Sequence, residues 1–179
     1  YHLEYGYSCM GYEIAGGLGV KLARPDREVV VLVGDGSYLM MNSEIATSIA
    51  LGLKLTIVVL DNRGFGCINR LQEACGGESF NNLLDEPGRR APAIDFAAHA
   101  RSLGALTEHV TGIPALTAAL DRSRGGASTS VIVIDTSAVL ATGAGGAWWD
   151  VPVAEVSESA AVQNARREYQ RLREEKGPK

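Results

Sequence analysis

The sequence predicts an α/β fold of three layers, α/β/α, built on a mostly parallel sheet. Three observations predict it. Short apolar runs alternate with helix-length segments along the chain. The runs at Glu28–Val33, Leu55–Leu60 and Val131–Ile134 are apolar at successive positions rather than at every second one, the pattern of strands covered on both faces. The chain has 179 residues, 46% of them hydrophobic and 21% charged, which is enough for one soluble domain with a real core.

Each element has a local reason. Met10–Ala23 is rich in small residues and long enough for a helix. Gly16, Gly17 and Gly19 are poor helix formers, so close packing against another backbone explains them. Glu28–Val33 is the first strand, and it runs directly into Gly34-Asp35-Gly36-Ser37 as a loop. Asn42 is the expected N-cap of a helix that reaches Leu51, with Glu44 in its first turn and Gly52 as its stop. Leu55–Leu60 is the second strand, followed by a loop over Asp61–Gly66 and a short helix through Ala74. Cys75–Pro92 is an irregular connection rich in Gly, Asn and Pro. Asp95–Leu103 and Pro114–Arg122 read as helices, with a weaker strand at Leu106–Val110 between them. Val131–Ile134 is the last clear strand. A glycine-rich segment with Trp148 and Trp149 follows, then a polar, charge-laced helix over Ser157–Lys176. The domain division expected is 1–156, with 157–179 as a charged C-terminal helix and tail.

Composition excludes several functions. The net charge is −4 with no basic block, which argues against nucleic acid and against an anionic membrane surface. No apolar run reaches the about 20 residues that span a bilayer. Three cysteines, Cys9, Cys67 and Cys75, form no CxxC pair and read as reduced thiols of a cytoplasmic protein. His2, His99 and His109 lie at no zinc-like spacing from them. The chain opens at Tyr1 rather than Met and has no secretory signal, so it reads as a piece of something longer.

The chemistry gathers on two loops that leave strand carboxyl ends, where parallel sheets bind ligands. Asp35 supplies an anionic oxygen, Asn62 a neutral amide oxygen, and Gly64 a carbonyl free to turn toward a ligand. Gly36 and Ser37 offer backbone N–H groups to an anion. Magnesium takes few oxygens from protein and the rest from phosphate and water, so one Asp, one Asn and one carbonyl suit it. Gly-Asp-Gly is also a common turn and Asp-Asn-Arg-Gly a common loop, and spacing alone leaves both readings open. The other phosphate motifs are absent. There is no GxxxxGK[ST]. "GGLGV" precedes a strand where a dinucleotide fingerprint would follow one. Ser37 lacks the GxSxG elbow of a nucleophile.

The stretch "GDGSYLMMNSEIATSIALGLKLTIVVLDNRG" resembles the motif of thiamine-diphosphate-dependent enzymes: GDG, a spacer, then Asn. Asn62 follows Asp35 by 27 positions, and Gly64 falls where the family places a carbonyl ligand. The resemblance implies Mg2+ on Asp35, Asn62 and Gly64, with Gly34, Gly36, Ser37 and Gly66 around the thiamine diphosphate. "GYSCMGYEIAGGLGVKLA" is similar to the family's GxGxMGxxxPAAxGA segment, with Met10 lying 25 positions before Asp35. It implies that Met10 props the cofactor into its bent shape and that the Ser8 carbonyl accepts from the aminopyrimidine. Ser8 stands where relatives often have Gly, and Ala15 where they often have Pro. Without the motif, Met10 reads as a core residue.

A narrower resemblance rests on "NRGFGCINRLQEACGGESFNNLL", "APAIDFAAHARSLGA" and "GGAWWDVPVAEVS". These segments resemble hydrolases of myo-inositol catabolism that open a cyclic 1,2-dione to 5-deoxyglucuronate. The resemblance implies the diphosphate-binding (PP-type) domain alone, with no catalytic side chain in this chain. The activating Glu would come from a pyrimidine-binding domain, across a subunit interface of a homo-oligomer. Glu13 is not that Glu and reads as structural or interfacial.

The remaining residues have plainer readings. Cys9 and Cys67 read as small buried residues beside the site. Arg63 reads either as a diphosphate contact or as an exposed loop residue. Trp148 and Trp149 read as an anchor for a partner domain, and His99 and His109 as residues of a helix and of a strand edge. Two other functions compete: another thiamine enzyme such as an acetohydroxyacid synthase, and a non-catalytic module that keeps the fold.

Overall fold

A computed structural model describes residues 1–3, 9–85, 92–138, 140 and 151–176. Ser8, Trp148 and Trp149 therefore lie outside the described residues. The chain divides into two compact units. The first holds Tyr1–Gly64 and Ala91–Ser137, the second Phe65–Arg90 and Ala138–Lys179.

The first unit carries the sheet. Its strands are β1 (Val30–Gly34), β2 (Thr56–Asp61), β3 (Leu106–Val110) and β4 (Ser130–Asp135). All pairings are parallel, in the order β1-β2-β4-β3. β1 and β2 are neighbours in register from Val30↔Thr56 to Gly34↔Leu60. The chain segments that leave them therefore emerge side by side at one end of the sheet.

Helices α1 (Tyr12–Ala23), α2 (Asp35–Met40), α3 (Glu44–Ala50), α5 (Phe96–Ser102) and α6 (Gly112–Gly125) belong to the same unit. One face of the sheet packs a core of Ile14, Leu18, Val31, Val33, Ile45, Ile57, Phe96 and Val131. The other face packs Val58, Ile132 and Ile134 against Ala119 and Leu116 of α6. Successive strand residues thus serve opposite faces, as the pleat requires.

The expectation that every strand is covered on both faces needs correction at β1. Val30 is 48% exposed and Leu32 63% exposed, while Val31 and Val33 are buried. α6 packs chiefly on β2, β3 and β4, and β1 is an edge strand. β2 and β4 do match the expectation.

Several local readings also change. Gly34-Asp35-Gly36-Ser37 is not a loop: Gly34 ends β1 and Asp35 opens α2 directly. Asn42 is not a side-chain cap. Ser43 is the N-cap residue of α3, and the Asn42 side chain donates instead to the Tyr38 carbonyl at 3.2 Å. Asp95 does cap α5, accepting from the Ala98 N–H at 2.8 Å. The α1 glycines meet side chains rather than a second backbone. A Cβ on Gly17 would lie 2.4 Å from Val31 Cγ2, one on Gly16 would meet the Tyr12 ring, and Gly19 faces open space.

The second unit contains α4 (Gly66–Ala74) and α7 (Ala160–Lys176). Arg166 ties α7 to the preceding segment, donating to the Val153 carbonyl at 2.7 Å and pairing with Glu155 at 2.9 Å. Among the described residues, no helix is long and apolar enough to cross a membrane.

Candidate functional site

Asp35 ends up 1% exposed because β1 delivers it to the sheet edge and α2 begins on it. Its carboxylate is held from the loop that follows β2: the Gly64 N–H donates to Asp35 Oδ2 at 2.7 Å. Gly64 is buried and has φ 140°, in the region that favours glycine. Asn62, half-buried, completes the group. Its side-chain amide ends 3.1 Å from Asp35 Oδ1 and 2.8 Å from the Gly64 carbonyl oxygen.

This geometry has two readings, set by which end of the amide faces inwards. With nitrogen inwards, Asn62 donates to both oxygens. With oxygen inwards, three oxygens converge with no donor between them. The first arrangement satisfies the site without a cation, and the second is the donor set a hard cation takes.

The electrostatics favour positive charge. Burial raises the Asp35 carboxyl above the usual carboxylate range, and the nearby Asp61 charge pushes it the same way. Backbone N–H groups of Gly64, Gly36 and Asn62 oppose the rise without cancelling it. A cation beside Asp35 would offset both raising causes. Among the described residues, no cluster of three or more His, Cys, Asp or Glu side chains could hold a metal. Any ion here rests on the mixed set of one carboxylate, one amide and one carbonyl. On donor chemistry, Mg2+ fits it.

Ser37, 5% exposed, sits two residues along α2. Its hydroxyl donates to the Glu13 carboxylate, 2.7 Å to Oε2 and 2.9 Å to Oε1, and accepts from the Gly11 N–H at 2.7 Å. Met10, the residue before Gly11, is 38% exposed, so the core-residue reading of it fails.

Asp35, Gly36, Ser37, Asn62 and Gly64 are therefore brought together, with Gly34 just before them. Gly66 opens α4 in the second unit. Sequence reasoning passed over Asp61, whose Oδ1 accepts from the Arg63 N–H at 3.0 Å. Its signal was present: a carboxylate at a strand end, immediately before the candidate ligand Asn62. Cys9 and Cys67 are exposed, against the buried reading, because each lies at the solvent side of a turn or helix start. None of the three cysteines is in a disulfide. His99, on α5, bonds the Tyr38 hydroxyl at 2.8 Å, and His109, on edge strand β3, meets Asp135 at 2.9 Å.

Comparisons with known proteins give the family. Residues 1–135 match the family model described as the thiamine pyrophosphate enzyme C-terminal TPP binding domain. The chain is 47% identical over 180 residues to a 3D-(3,5/4)-trihydroxycyclohexane-1,2-dione hydrolase of Geobacillus thermodenitrificans, covering 95% of this chain and 28% of that protein. For the Bacillus licheniformis protein of the same name the identity is 43% over 174 residues, covering 97% and 27%. For that of Bacillus subtilis it is 44% over 165 residues, covering 92% and 26%. The chain thus spans about a quarter of the length of these curated relatives. A solved thiamine diphosphate-dependent 4-hydroxybenzoylformate decarboxylase of Rhodococcus jostii shares the fold, with a TM-score of 0.62 and 24% identity, over 72% of this chain and 23% of that one. The α/β sheet, the paired strand ends and the matched family model lead to one assignment: this chain belongs to the thiamine pyrophosphate enzymes, as their C-terminal cofactor-binding domain.

Proposed function

We propose that the chain is the thiamine-diphosphate-binding domain of an enzyme that opens 3D-(3,5/4)-trihydroxycyclohexane-1,2-dione by hydrolytic C–C cleavage between its adjacent carbonyls, giving 5-deoxy-D-glucuronate. The observation that carries the reading is the convergence of the Asp35 carboxylate, the Asn62 amide and the Gly64 carbonyl at the ends of two adjacent parallel strands. The names of the relatives supply the substrate.

In this reading the Asp35 carboxylate, the Asn62 oxygen and the Gly64 carbonyl would hold Mg2+. Gly34, Gly36 and Ser37 would surround the diphosphate. Met10 would brace the cofactor, and Ser8, outside the described residues, is the position that the family resemblance assigns to its aminopyrimidine. Bound thiamine diphosphate supplies an electron sink for cleaving a bond next to a carbonyl. The chain's own work is to bind, bend and orient that group. Residues 1–156 form the binding domain and 157–179 a charged tail.

The activating Glu belongs to a pyrimidine-binding domain that meets this one across a subunit interface of a cytoplasmic homo-oligomer. The chain alone is then inactive. The test is turnover. The complete enzyme opens the dione, and the 179-residue chain does not. Condensation of pyruvate by the complete enzyme in place of ring opening would assign an acetohydroxyacid synthase instead. Ring opening by the isolated chain at the full rate would overturn the divided site.

A further inference from the structure

The Ser37 hydroxyl joins two parts of the site that the backbone keeps 24 residues or more apart. On one side it accepts the Gly11 N–H, and on the other it gives its single proton to Glu13. A hydroxyl has one proton, so an acceptor at Glu13 fixes where its lone pairs point. A carboxylate can only accept, which makes the orientation unambiguous. Gly11 has φ 90°, and a Cβ there would stand 3.2 Å from Met40 Cβ, so the turn before α1 has little room to shift. Met10 is the next residue back along that turn.

We infer that Glu13 is a positioning residue: by holding Ser37 Oγ it fixes the Gly11 turn, and with it the adjoining Met10, against the start of α2. This rests on the proposed thiamine-diphosphate function. Glu13 acts through Ser37 and Gly11, so its loss is felt as misplacement of Met10.

The experiment uses the complete enzyme that carries this domain, with thiamine diphosphate titrated calorimetrically at saturating Mg2+. Glu13→Ala weakens cofactor binding by about ten- to a hundredfold, the range that outer-sphere supports command. Glu13→Gln, which keeps one accepting oxygen, stays within about threefold of wild type. In a Met10→Ala background, Glu13→Ala adds less than about twofold, because residues acting as one unit are not additive. Hydrogen exchange at the Gly11 amide in the cofactor-free enzyme rises about tenfold in Glu13→Ala and not in Glu13→Gln.

Equal cofactor affinity in wild type and Glu13→Ala, additive losses with Met10→Ala, or unchanged Gly11 exchange would each overturn the inference. If Glu13→Ala does not fold, Glu13→Asp keeps the charge but withdraws it from Ser37 by one methylene, and the same expectations apply to it. A wild-type enzyme that binds no thiamine diphosphate overturns the proposed function and this inference with it. Binding by wild type with additive variants overturns the inference alone.

Discussion

The Gly64 N–H donates to Asp35 Oδ2 at 2.7 Å, which ties the loop after β2 to the first residue of α2. One glycine therefore does two things. Its N–H orients the carboxylate, and its carbonyl lies 2.8 Å from the Asn62 amide. Its φ of 140° lets both groups face inwards. Gly64→Ala places a Cβ on that backbone at a cost of about 1–3 kcal/mol. The expected outcome in urea unfolding is a loss of stability in that range, together with weaker Mg2+-dependent cofactor binding. An unchanged unfolding midpoint would contradict the strain argument.

Asp35→Asn separates stability from function. Burial holds the Asp35 carboxyl above the ordinary range, so the folded state binds its proton more tightly than the unfolded state does. Stability is then lost as pH rises from below the ordinary value of 3.8 through the raised folded value. Asparagine removes the charge and keeps an oxygen for the Gly64 N–H. Without Mg2+, Asp35→Asn should be at least as stable as wild type at neutral pH, the gap closing toward acid. With Mg2+ and thiamine diphosphate the order should reverse. Chemical unfolding in the two conditions checks both signs.

Tyr38 sets an alkaline limit. Its ring is fully buried, packs edge-on to Phe96 at 5.5 Å, and its hydroxyl bonds His99 Nδ1. Burial pushes the phenol up from 10.0 to about 12. Its contribution is complete below the unfolded value and is lost as pH rises through the folded one, about 2–3 kcal/mol in all. Tyr38→Phe should cost little at pH 8 beyond one partly exposed hydrogen bond, about 1 kcal/mol. It should then fall less steeply than wild type between pH 10 and 12. Parallel pH-stability curves for the two proteins would count against the burial argument.

Gly17→Ala tests the close approach of α1 to the sheet. The new Cβ would lie 2.4 Å from Val31 Cγ2, inside a packed core. Overpacking of this kind costs about 1–3 kcal/mol. Gly19→Ala, which meets nothing within 4 Å, should instead be neutral or stabilising through helix propensity. Thermal melts of the pair decide between steric and conformational roles for these glycines.

Much of the fold is legible residue by residue. The strand over Leu106–Val110 is found as read, and β2 and β4 are buried on both faces as their apolar runs require. α2 was hidden because six residues carry no helical period and Gly-Asp-Gly reads as a turn. The open face of β1 was hidden because Val30 and Leu32 are as apolar as Val31 and Val33. Which of them is covered depends on where α6 lands. At the site, the motif spacing anticipated the meeting of Asp35, Asn62 and Gly64. It did not give the Glu13–Ser37 contact, which joins residues 24 positions apart through a hydroxyl and follows no local pattern.

The most direct measurement is calorimetric titration of thiamine diphosphate into the complete enzyme, wild type and Asp35→Ala, with and without Mg2+. The account predicts tight binding that needs Mg2+ in wild type, and loss of that Mg2+ dependence in Asp35→Ala. Equal, Mg2+-dependent binding by both proteins would contradict it.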